Sequence, residues 1–514
     1  MRKSHSFISK ILALVCLSSL FAVTAIPSVS HAEEVNEELL LFWAPAAFPA
    51  SSALGRSSNN SLLNCSDGME GLSEGRCGND LFASLQNTMS PCTIDMSVSC
   101  INNLEIQLPN QSWKSASYLG TLSPSRTSWS SFPQFDLGPS NDSSIFTTTN
   151  SSGSQIQWLV SVSYRFTAPD FSSGAKGPSD YTISIAPVQK ITASECVWNT
   201  RFESLLLIAG GAINFRDYCY KRLQQPSSFK ARLALSMAHE PRGWITSYLQ
   251  QFEGKIQQPT DKNRRFELTL EGSNSPYPIS ALTISGNDSE RKSKFCSVND
   301  PTYIKRCTEK SSWISSLYFY RTTGGYRDNG KDKYLAMLSL FPELDVAARE
   351  SIAWSVDLDM RNDDKINSCN APKGIYGVVG GNAMVTDESV PIWNASTQTL
   401  EFEVASPHYK SDGQVARGFY EMQLNEQVAK CLWGTKVTPA NVSLSVLDEN
   451  GDSKVATAAI SVKNGMVIFR ATGFTYSSTK LSVSLKKLVC VKNGLTKTQP
   501  KGKTTCPKGW KKKQ

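Results

Sequence analysis

The chain has 514 residues, of which 40% are hydrophobic, 10% aromatic and 19% charged. This composition excludes an intrinsically disordered protein, and the length allows about two to four folded domains. The formal net charge is +8, but residues 33–485 hold 40 basic and 45 acidic residues, a net charge of −5, and show no basic face with interleaved aromatic residues, which argues against a nucleic-acid-binding protein.

Residues 1–32 match a secretory signal peptide. They have a basic start, an apolar run over residues 11–25 and a small-residue cleavage site at Ser30-His31-Ala32. The apolar run is shorter than the roughly 20 residues that a membrane-spanning helix needs. The sequence therefore predicts an exported protein whose mature chain begins at Glu33, with no transmembrane segment after cleavage.

The first part of the mature chain, residues 33–190, is predicted to be a Ser-rich β-domain held by disulfides. Residues 155–167 show the clearest strand pattern in the chain, with large apolar side chains at alternate positions. Residues 104–108 form a shorter alternating run. Residues 181–185 should pair antiparallel with the long strand across a Gly- and Pro-rich turn.

Residues 191–435 are predicted to form a β-rich middle region of one or two units. Three segments alternate in the manner of strands: 232–237, 266–270 and 354–360. In the last of these, the pattern points Trp354 inward and the aspartates outward. Residues 202–208 and 244–252 are each compatible with a helix or a strand.

The best helical candidate is residues 333–349, although Pro342 must break or restart that helix. Further along, residues 399–405 and 415–424 flank an Asp412-Gly413 turn. This arrangement predicts a β-hairpin.

Residues 436–485 carry successive short strands separated by turns that contain Asn-Gly. This pattern predicts a small immunoglobulin-like β-sandwich. The fold class predicted for the whole chain is mainly β, with two or three antiparallel sandwich-like domains, minor helix and a small disulfide-closed basic tail.

The tail, residues 486–514, contains ten lysines and no acidic residue. Cys490 and Cys506 flank Asn-Gly and Pro-Lys-Gly turn sequences, which predicts a small disulfide-closed hairpin. The order Cys-Val-Lys, a Lys/Thr-rich connector and Cys-Pro-Lys-Gly-Trp-Lys-Lys-Lys resembles a C-terminal tail found on exported actinobacterial proteins, many of unknown role. The resemblance is strongest over residues 400–514. It implies export and association with the cell envelope, and it implies no activity.

The cysteines indicate an oxidising compartment. Of 13 cysteines, Cys16 lies in the signal peptide, and the other 12 form an even number in an exported chain, as disulfides require. Pairing successive cysteines closes short loops, although the sequence alone leaves other connectivities open. The predicted pairs are Cys65–Cys77, Cys92–Cys100, Cys196–Cys219, Cys296–Cys307, Cys369–Cys431 and Cys490–Cys506. Zinc is the weaker alternative, because no Cys-x-x-Cys spacing occurs and the mature chain has only two histidines, His239 and His408.

Two motifs suggest chemistry but lack its context. Gly71-Leu72-Ser73-Glu74-Gly75 matches the nucleophile-elbow string, yet it lies in a short cysteine loop and not between a strand and a helix. A calcium site is suggested by four aspartates: Asp357, Asp359, Asp363 and Asp364. The EF-hand order fails, because Arg361 occupies the third ligand position. An ordinary loop serine and an exposed acidic strand face are the favoured interpretations.

No catalytic residue, cofactor or metal site is predicted. The lysines expected to contact an anionic cell-wall polymer are Lys486, Lys487, Lys492, Lys508, Lys511, Lys512 and Lys513. A tail that only improves solubility is the plainer alternative. The leading hypothesis is an exported, envelope-associated β-protein with a non-enzymatic interaction or structural role. The alternative is a secreted polysaccharide hydrolase that uses an unrecognised carboxylate pair.

Overall fold

The computed structural model describes much of the chain between residues 85 and 512. The described residues are 85–121, 136, 138, 143–166, 180–192, 218–223, 226, 228–259, 265–285, 288–298, 314–319, 330–351, 354–359, 374–386, 390–448, 450–453, 457–476, 478–486, 489–498 and 505–512. The predicted signal peptide, the Ser73 motif and residues 202–208 lie outside them.

The protein is mainly β, as the sequence predicts. The strands up to residue 319 are β1 (Leu85–Thr88), β2 (Cys100–Gln107), β3 (Lys114–Ser115), β4 (Ser117–Thr121), β5 (Ser144–Thr149), β6 (Gln155–Phe166), β7 (Asp180–Thr192), β8 (Tyr218–Arg222), β9 (Lys230–Met237), β10 (Gly243–Ser247), β11 (Leu249–Gln257), β12 (Phe266–Asn274), β13 (Tyr277–Ser285) and β14 (Ile314–Phe319). The strands after it are β15 (Arg349–Ser351), β16 (Trp354–Asp359), β17 (Ile375–Gly381), β18 (Val385–Thr386), β19 (Ile392–Asn394), β20 (Thr399–Ala405), β21 (Arg417–Asn425), β22 (Val442–Leu447), β23 (Thr457–Lys463), β24 (Met466–Thr475), β25 (Ser478–Leu485), β26 (Val489–Lys492), β27 (Leu495–Thr498) and β28 (Lys511–Lys512).

Helix is a minor component of the described residues. The α-helices are α1 (Ser289–Cys296), α2 (Gly330–Leu340) and α3 (Glu426–Trp433), and a 3-10 helix covers Pro342–Asp345. The break at Pro342 is confirmed, because α2 ends two residues before it and the 3-10 helix begins with it. None of the described helices has the length and apolar character needed to cross a bilayer.

A twelve-stranded sheet runs through the described part of the chain. Its order is β23-β24-β21-β17-β10-β16-β7-β6-β5-β4, with β1 added to β6 and β8 added to β7. These strands pair antiparallel except for β10 and β17, which are parallel. The predicted pairing of β6 with β7 is confirmed, with Tyr164 opposite Tyr181.

The first hydrophobic core lies between this sheet and a five-stranded sheet in the order β11-β12-β9-β2-β3. Trp158, Val160 and Val162 of β6 are fully buried there against Leu233 and Leu235 of β9. Alternate positions of a strand point to the same face, so the period-2 pattern of β6 produces one continuous apolar row.

The second core lies between the other end of the large sheet and a sheet in the order β18-β20-β25-β22, with β19 paired to β20. Phe402 and Leu481 of the smaller sheet pack in this core with Met422 and Phe469 of the larger one. Val428 of α3 contributes to the same core.

The two cores lie on opposite faces of the twelve-stranded sheet. In β10, Trp244 belongs to the second core and its neighbour Ile245 to the first. In β17, Val378 belongs to the first core and its neighbour Val379 to the second. Since successive side chains of a strand point to opposite faces, β10 and β17 are where the two sandwiches share one sheet.

A third, smaller core surrounds α1 and α2. It includes Phe295 of α1, Tyr334 of α2 and Leu282 of β13, the central strand of the three-stranded sheet β14-β13-β15. The Tyr334 hydroxyl donates to the Leu344 carbonyl oxygen over 3.0 Å, and the Ser280 hydroxyl donates to the same oxygen over 2.8 Å.

The hairpin predicted from residues 399–405 and 415–424 is wrong. β20 pairs with β25, whereas β21 pairs with β17 and β24, so the two strands lie in facing sheets. The connection between them is long enough to cross from one sheet to the other. Packing of both apolar faces into the second core decides the pairing, and the turn sequence does not.

The strands predicted within residues 436–485 are present, but they are divided between two sheets. β22 and β25 pair with each other, and β23 and β24 form a hairpin through Asn464-Gly465, both of which have positive φ. Each sheet is completed by strands that precede residue 436. The domain boundary predicted near residue 190 falls within β7.

Two of the predicted cysteine pairs are joined in the described residues. Cys92 and Cys100 form one disulfide, with Cα atoms 4.9 Å apart, and Cys490 and Cys506 form the other, with Cα atoms 5.7 Å apart. Cys296 and Cys431 are also disulfide-bonded. Their partners, and the pairing of the other cysteines, stay predictions.

Candidate polyanion-binding site

The basic tail folds as a small three-stranded sheet with β26 at its centre. β26 and β27 form a hairpin in which Lys492 lies opposite Leu495. Asn493 and Gly494 connect them with φ values of 49° and 77°, the left-handed pair that a tight two-residue hairpin turn requires. On its other side β26 pairs with β28, with Cys490 opposite Lys512. The predicted disulfide-closed hairpin is confirmed.

The Cys490–Cys506 bond fixes the return of the chain to this sheet. Cys490 is fully buried, and the bond spans 16 residues, a loop length worth about 3 kcal/mol in the chain-entropy model. After Cys506 the chain turns back at once, because the Trp510 amide donates to the Pro507 carbonyl oxygen over 2.9 Å. The disulfide and the turn together place β28 beside β26 and so bring the last lysines to the hairpin.

Four lysines of this small sheet are exposed and lie apart from the described acidic residues. Lys497, Lys508 and Lys511 are exposed, as is Lys492. None of these four lies within ion-pair distance of a carboxylate among the described residues.

The positive charge is spread over both faces of the sheet. Residues directly opposite in an antiparallel pair share a face, so Lys492 and Lys497 lie on one face and Lys511, opposite Val491, lies on the other. Lysine is a compact, strongly hydrated point charge without a fixed fork of donors. This arrangement suits attraction to a diffuse anionic layer and not recognition of a single small anion.

Lys486 occupies a different position from the other predicted contacts. It follows β25, and its ammonium group donates to the Pro439 carbonyl oxygen over 3.3 Å, on the sandwich. Lys487 and Lys513 lie outside the described residues. The exposed Lys497 was not among the lysines predicted from the sequence to contact the polymer. The structure adds it to them, because its position on β27 follows from the hairpin register.

One exposed apolar residue lies among these lysines. Leu495, at the start of β27, is 66% exposed and lies directly opposite Lys492. No sequence pattern identified it, because a single leucine in a polar stretch carries no periodic signal.

The aspartates considered for calcium do not form a site among the described residues. Asp357 projects from β16 on the face opposite the first core, as the alternation predicts, but it is half-buried, and its Oδ1 accepts a hydrogen bond from Thr182 Oγ1 over 3.0 Å. Asp363 and Asp364 lie outside the described residues. Nowhere in the described ranges do three His, Cys, Asp or Glu side chains converge as a metal would require.

Each described histidine interacts with an acidic residue. The Asp345 carboxylate lies 2.7 and 2.9 Å from His408 Nδ1 and also accepts from the His408 backbone amide over 3.0 Å. The double contact fixes the segment that follows β20. His239 lies near the buried Asp136, whose charge it influences.

Glu401 and Glu403 form a carboxylate pair that is held by a shared cation. Glu401 and Glu403 both contact the Lys480 ammonium group, at 2.7 and 3.5 Å. Burial raises the pKa of Glu401, but hydrogen bonds from Lys480 and Thr399 outweigh it and lower that pKa below its ordinary value. A general acid for glycoside hydrolysis needs a raised pKa, so this pair does not support the hydrolase alternative.

Asp136 is a buried carboxyl group that sequence reasoning missed. Its two oxygens accept hydrogen bonds from the Ser99 backbone amide and hydroxyl, each over 2.5 Å, and its φ of 56° is in the left-handed region. Burial raises the pKa of Asp136 above the ordinary value of 3.8, and the hydrogen bonds from Ser99 and the charges of His239 and Arg265 only partly oppose this. The contact joins residues 37 positions apart, so no local pattern announces it.

Replacing Asp136 should change how stability depends on pH. A carboxyl group whose pKa is higher in the folded state lowers the free energy of unfolding as the pH rises from 3.8 through the folded-state value. Asp136→Asn has no titrating carboxyl group at this position, so it should not show this loss of stability as the pH rises. Urea unfolding of both proteins between about pH 4 and pH 7 should show the variant gaining stability relative to the wild type as the pH rises. If the stabilities of the two proteins changed in parallel with pH, the pKa of Asp136 would not be raised in the folded state.

Comparison of the chain with protein-family models, with curated proteins and with solved structures finds no match.

Proposed function

We propose that this is an exported, cell-envelope-associated protein with a non-enzymatic interaction role, held on an anionic polymer of the envelope by its C-terminal sheet. The observation that carries the proposal is a set of exposed lysines that pair with no acidic residue in the described part of the chain and lie on a small sheet closed by a disulfide. A tail that only improved solubility would not need a covalent closure to hold its charges together.

The electrostatics favour binding to a polyanion. Like charges on neighbouring strands repel one another, so the tail is stabilised by a counter-charge that follows the sheet. Exposed charges interact over about 8 Å at physiological ionic strength and about 3 Å at 1 M salt. Attachment should therefore be strong in dilute buffer, poorly specific and reversible by salt. Residues 33–485 are slightly acidic, with a net charge of −5, so the tail is the part that an anionic surface attracts.

Removal of the tail should abolish retention on the cell wall. The mature protein is expected to sediment with isolated wall fragments at low salt and to be released as salt rises, whereas a chain ending at Leu485 should remain in the supernatant throughout. Co-sedimentation over a salt series measures this. Equal retention of the two forms, or release that is indifferent to salt, would rule out the tail as the anchor.

A charge-matched pair of variants separates tail-specific binding from net charge. The tail variant replaces Lys492, Lys497, Lys508 and Lys511 by Gln, and the control replaces Lys255, Lys294, Lys430 and Lys436, which are exposed lysines elsewhere. Both lose the same charge, and we expect only the tail variant to lose retention. Equal losses would show that overall charge, and not this sheet, decides retention.

A further inference from the structure

The strand β23 is an open edge of the large sheet. It pairs in unbroken register with β24, from Lys463 opposite Met466 to Thr457 opposite Thr472, and no described strand pairs with its other side. Six of its seven residues are exposed, and Ile460 is half-buried. A row of backbone amide and carbonyl groups is therefore available to another strand.

This edge lacks the usual protection against pairing. Edge strands are normally blocked by a charged side chain, a proline, a bulge or a very short length. Residues Thr457 to Val462 contain no charge and no proline, the register shows no bulge, and only the last residue, Lys463, is charged. The two-residue turn at Asn464-Gly465 keeps the strand in register with β24 up to that end.

The apolar side of β23 is self-complementary. Ala458, Ile460 and Val462 share the face of the second core, because they lie opposite the buried Ala471, Phe469 and Val467 of β24. In an antiparallel pairing of two copies about Ile460, each Ile460 meets its counterpart and each Val462 meets an Ala458. The apolar row then continues across the junction, and Lys463 meets an uncharged threonine.

The charges at the two ends of β23 favour the same antiparallel pairing. Lys463 lies at the end of the strand, exposed, with its ammonium group 3.3 Å from Glu253. The segment before the strand carries three acidic residues, Asp448, Glu449 and the exposed Asp452, and one basic residue, Lys454, so it remains acidic overall. An antiparallel arrangement brings the basic end of each strand towards the acidic loop of the other copy, whereas a parallel one places like charges side by side.

We propose that β23 is a self-association edge, through which two copies of this chain pair antiparallel and extend the large sheets into one. A seven-residue edge buries less than the roughly 1,200 Å² of a standard stable interface. The dimer should therefore be weak and become populated at micromolar or higher concentrations, or where the protein is concentrated on a surface. The tail is not part of this edge, so the proposal does not depend on the polyanion proposal.

Sedimentation velocity over a concentration series of the mature chain tests the pairing. Val462→Lys places a charge on the apolar row and should weaken dimerisation by about tenfold or more. The matched control is Val415→Lys, since Val415 is 43% exposed and Val462 42% exposed, and it should dimerise like the wild type. Lys463→Glu places an acid opposite the acidic loop and should also weaken the dimer, without altering the apolar row.

A wild-type chain that stays monomeric at the highest soluble concentration would overturn the proposal. So would a Val462→Lys variant that dimerises as well as the Val415→Lys control. Urea unfolding of the three variants shows whether each is folded. In a separate experiment, the chain ending at Leu485 should dimerise like the full mature chain. Loss of dimerisation in that truncated chain would assign self-association to the tail and not to β23.

Discussion

Gly377→Ala is expected to destabilise the protein by about 3 kcal/mol or more, at the upper end of the cost of overpacking a core. Gly377 lies in β17, and a Cβ atom there would be 2.3 Å from Trp244 Cζ3 and 2.8 Å from the Gln423 carbonyl oxygen. Trp244 is buried in the second core, and the carbonyl belongs to the neighbouring strand β21. Neither atom belongs to a flexible side-chain end that can move away.

Denaturant unfolding of Gly377→Ala and of Gly381→Ala measures this effect. Gly381 lies in the same strand, but a Cβ atom there would meet only the Phe419 carbonyl oxygen, at 3.3 Å. The control should lose less than about 1 kcal/mol, the ordinary cost of a small misfit. An unchanged denaturant slope for both variants would show that stability has changed and that the compactness of the unfolded chain has not. Equal losses would mean that the contact between Trp244 and Gly377 is not close-packed.

Trp354→Ala should cost about 3–5 kcal/mol, as large-to-small changes of a buried tryptophan do. Trp354 is fully buried in the first core, and its indole Nε1 donates to the Gly272 carbonyl oxygen over 3.0 Å. This bond joins β16 of the large sheet to β12 of the covering sheet. The variant loses the buried ring, leaves a cavity between the sheets and leaves a buried carbonyl group without its donor.

Two further variants separate these contributions. Trp354→Phe keeps most of the ring volume and removes the donor, so it should cost less than Trp354→Ala. Trp113→Ala removes a half-buried ring that lies on the outer surface, 4.3 Å from the Arg232 guanidinium carbon, and should cost about 1 kcal/mol. Thermal or urea unfolding ranks the three. A loss from Trp354→Ala no larger than that from Trp113→Ala would contradict its position between the two sheets.

The helix α3 has a recognisable local signal in the sequence. The helix α3 is capped by the Asn425 side chain, which accepts from the Gln427 amide over 2.8 Å, and it is followed by Gly434 in the left-handed conformation. An asparagine before and a glycine after a segment with Val428 and Leu432 on one side is a helix signature. α3 was nevertheless not among the predicted helices.

The sequence by itself determined the features that depend on neighbouring residues. Alternating side chains defined β6 and β16, Pro342 ended α2, and Asn-Gly dipeptides formed the turns of the β23–β24 and β26–β27 hairpins. The separation of ten lysines from a slightly acidic chain is also a property of the sequence alone. These outcomes follow from backbone stereochemistry and charge, which act over a few residues.

Only the tertiary structure decided which strands meet. β20 and β21 lie in different sheets, β10 and β17 pair in parallel, and β10 supplies one residue to each core. A period of two fixes which side chains share a face, but many strands with the same period are equivalent partners until their apolar faces are packed together. The contact of Asp136 with Ser99 is also decided by tertiary packing. Burial and pairing between residues far apart in the sequence are properties of the packed chain and not of any local segment.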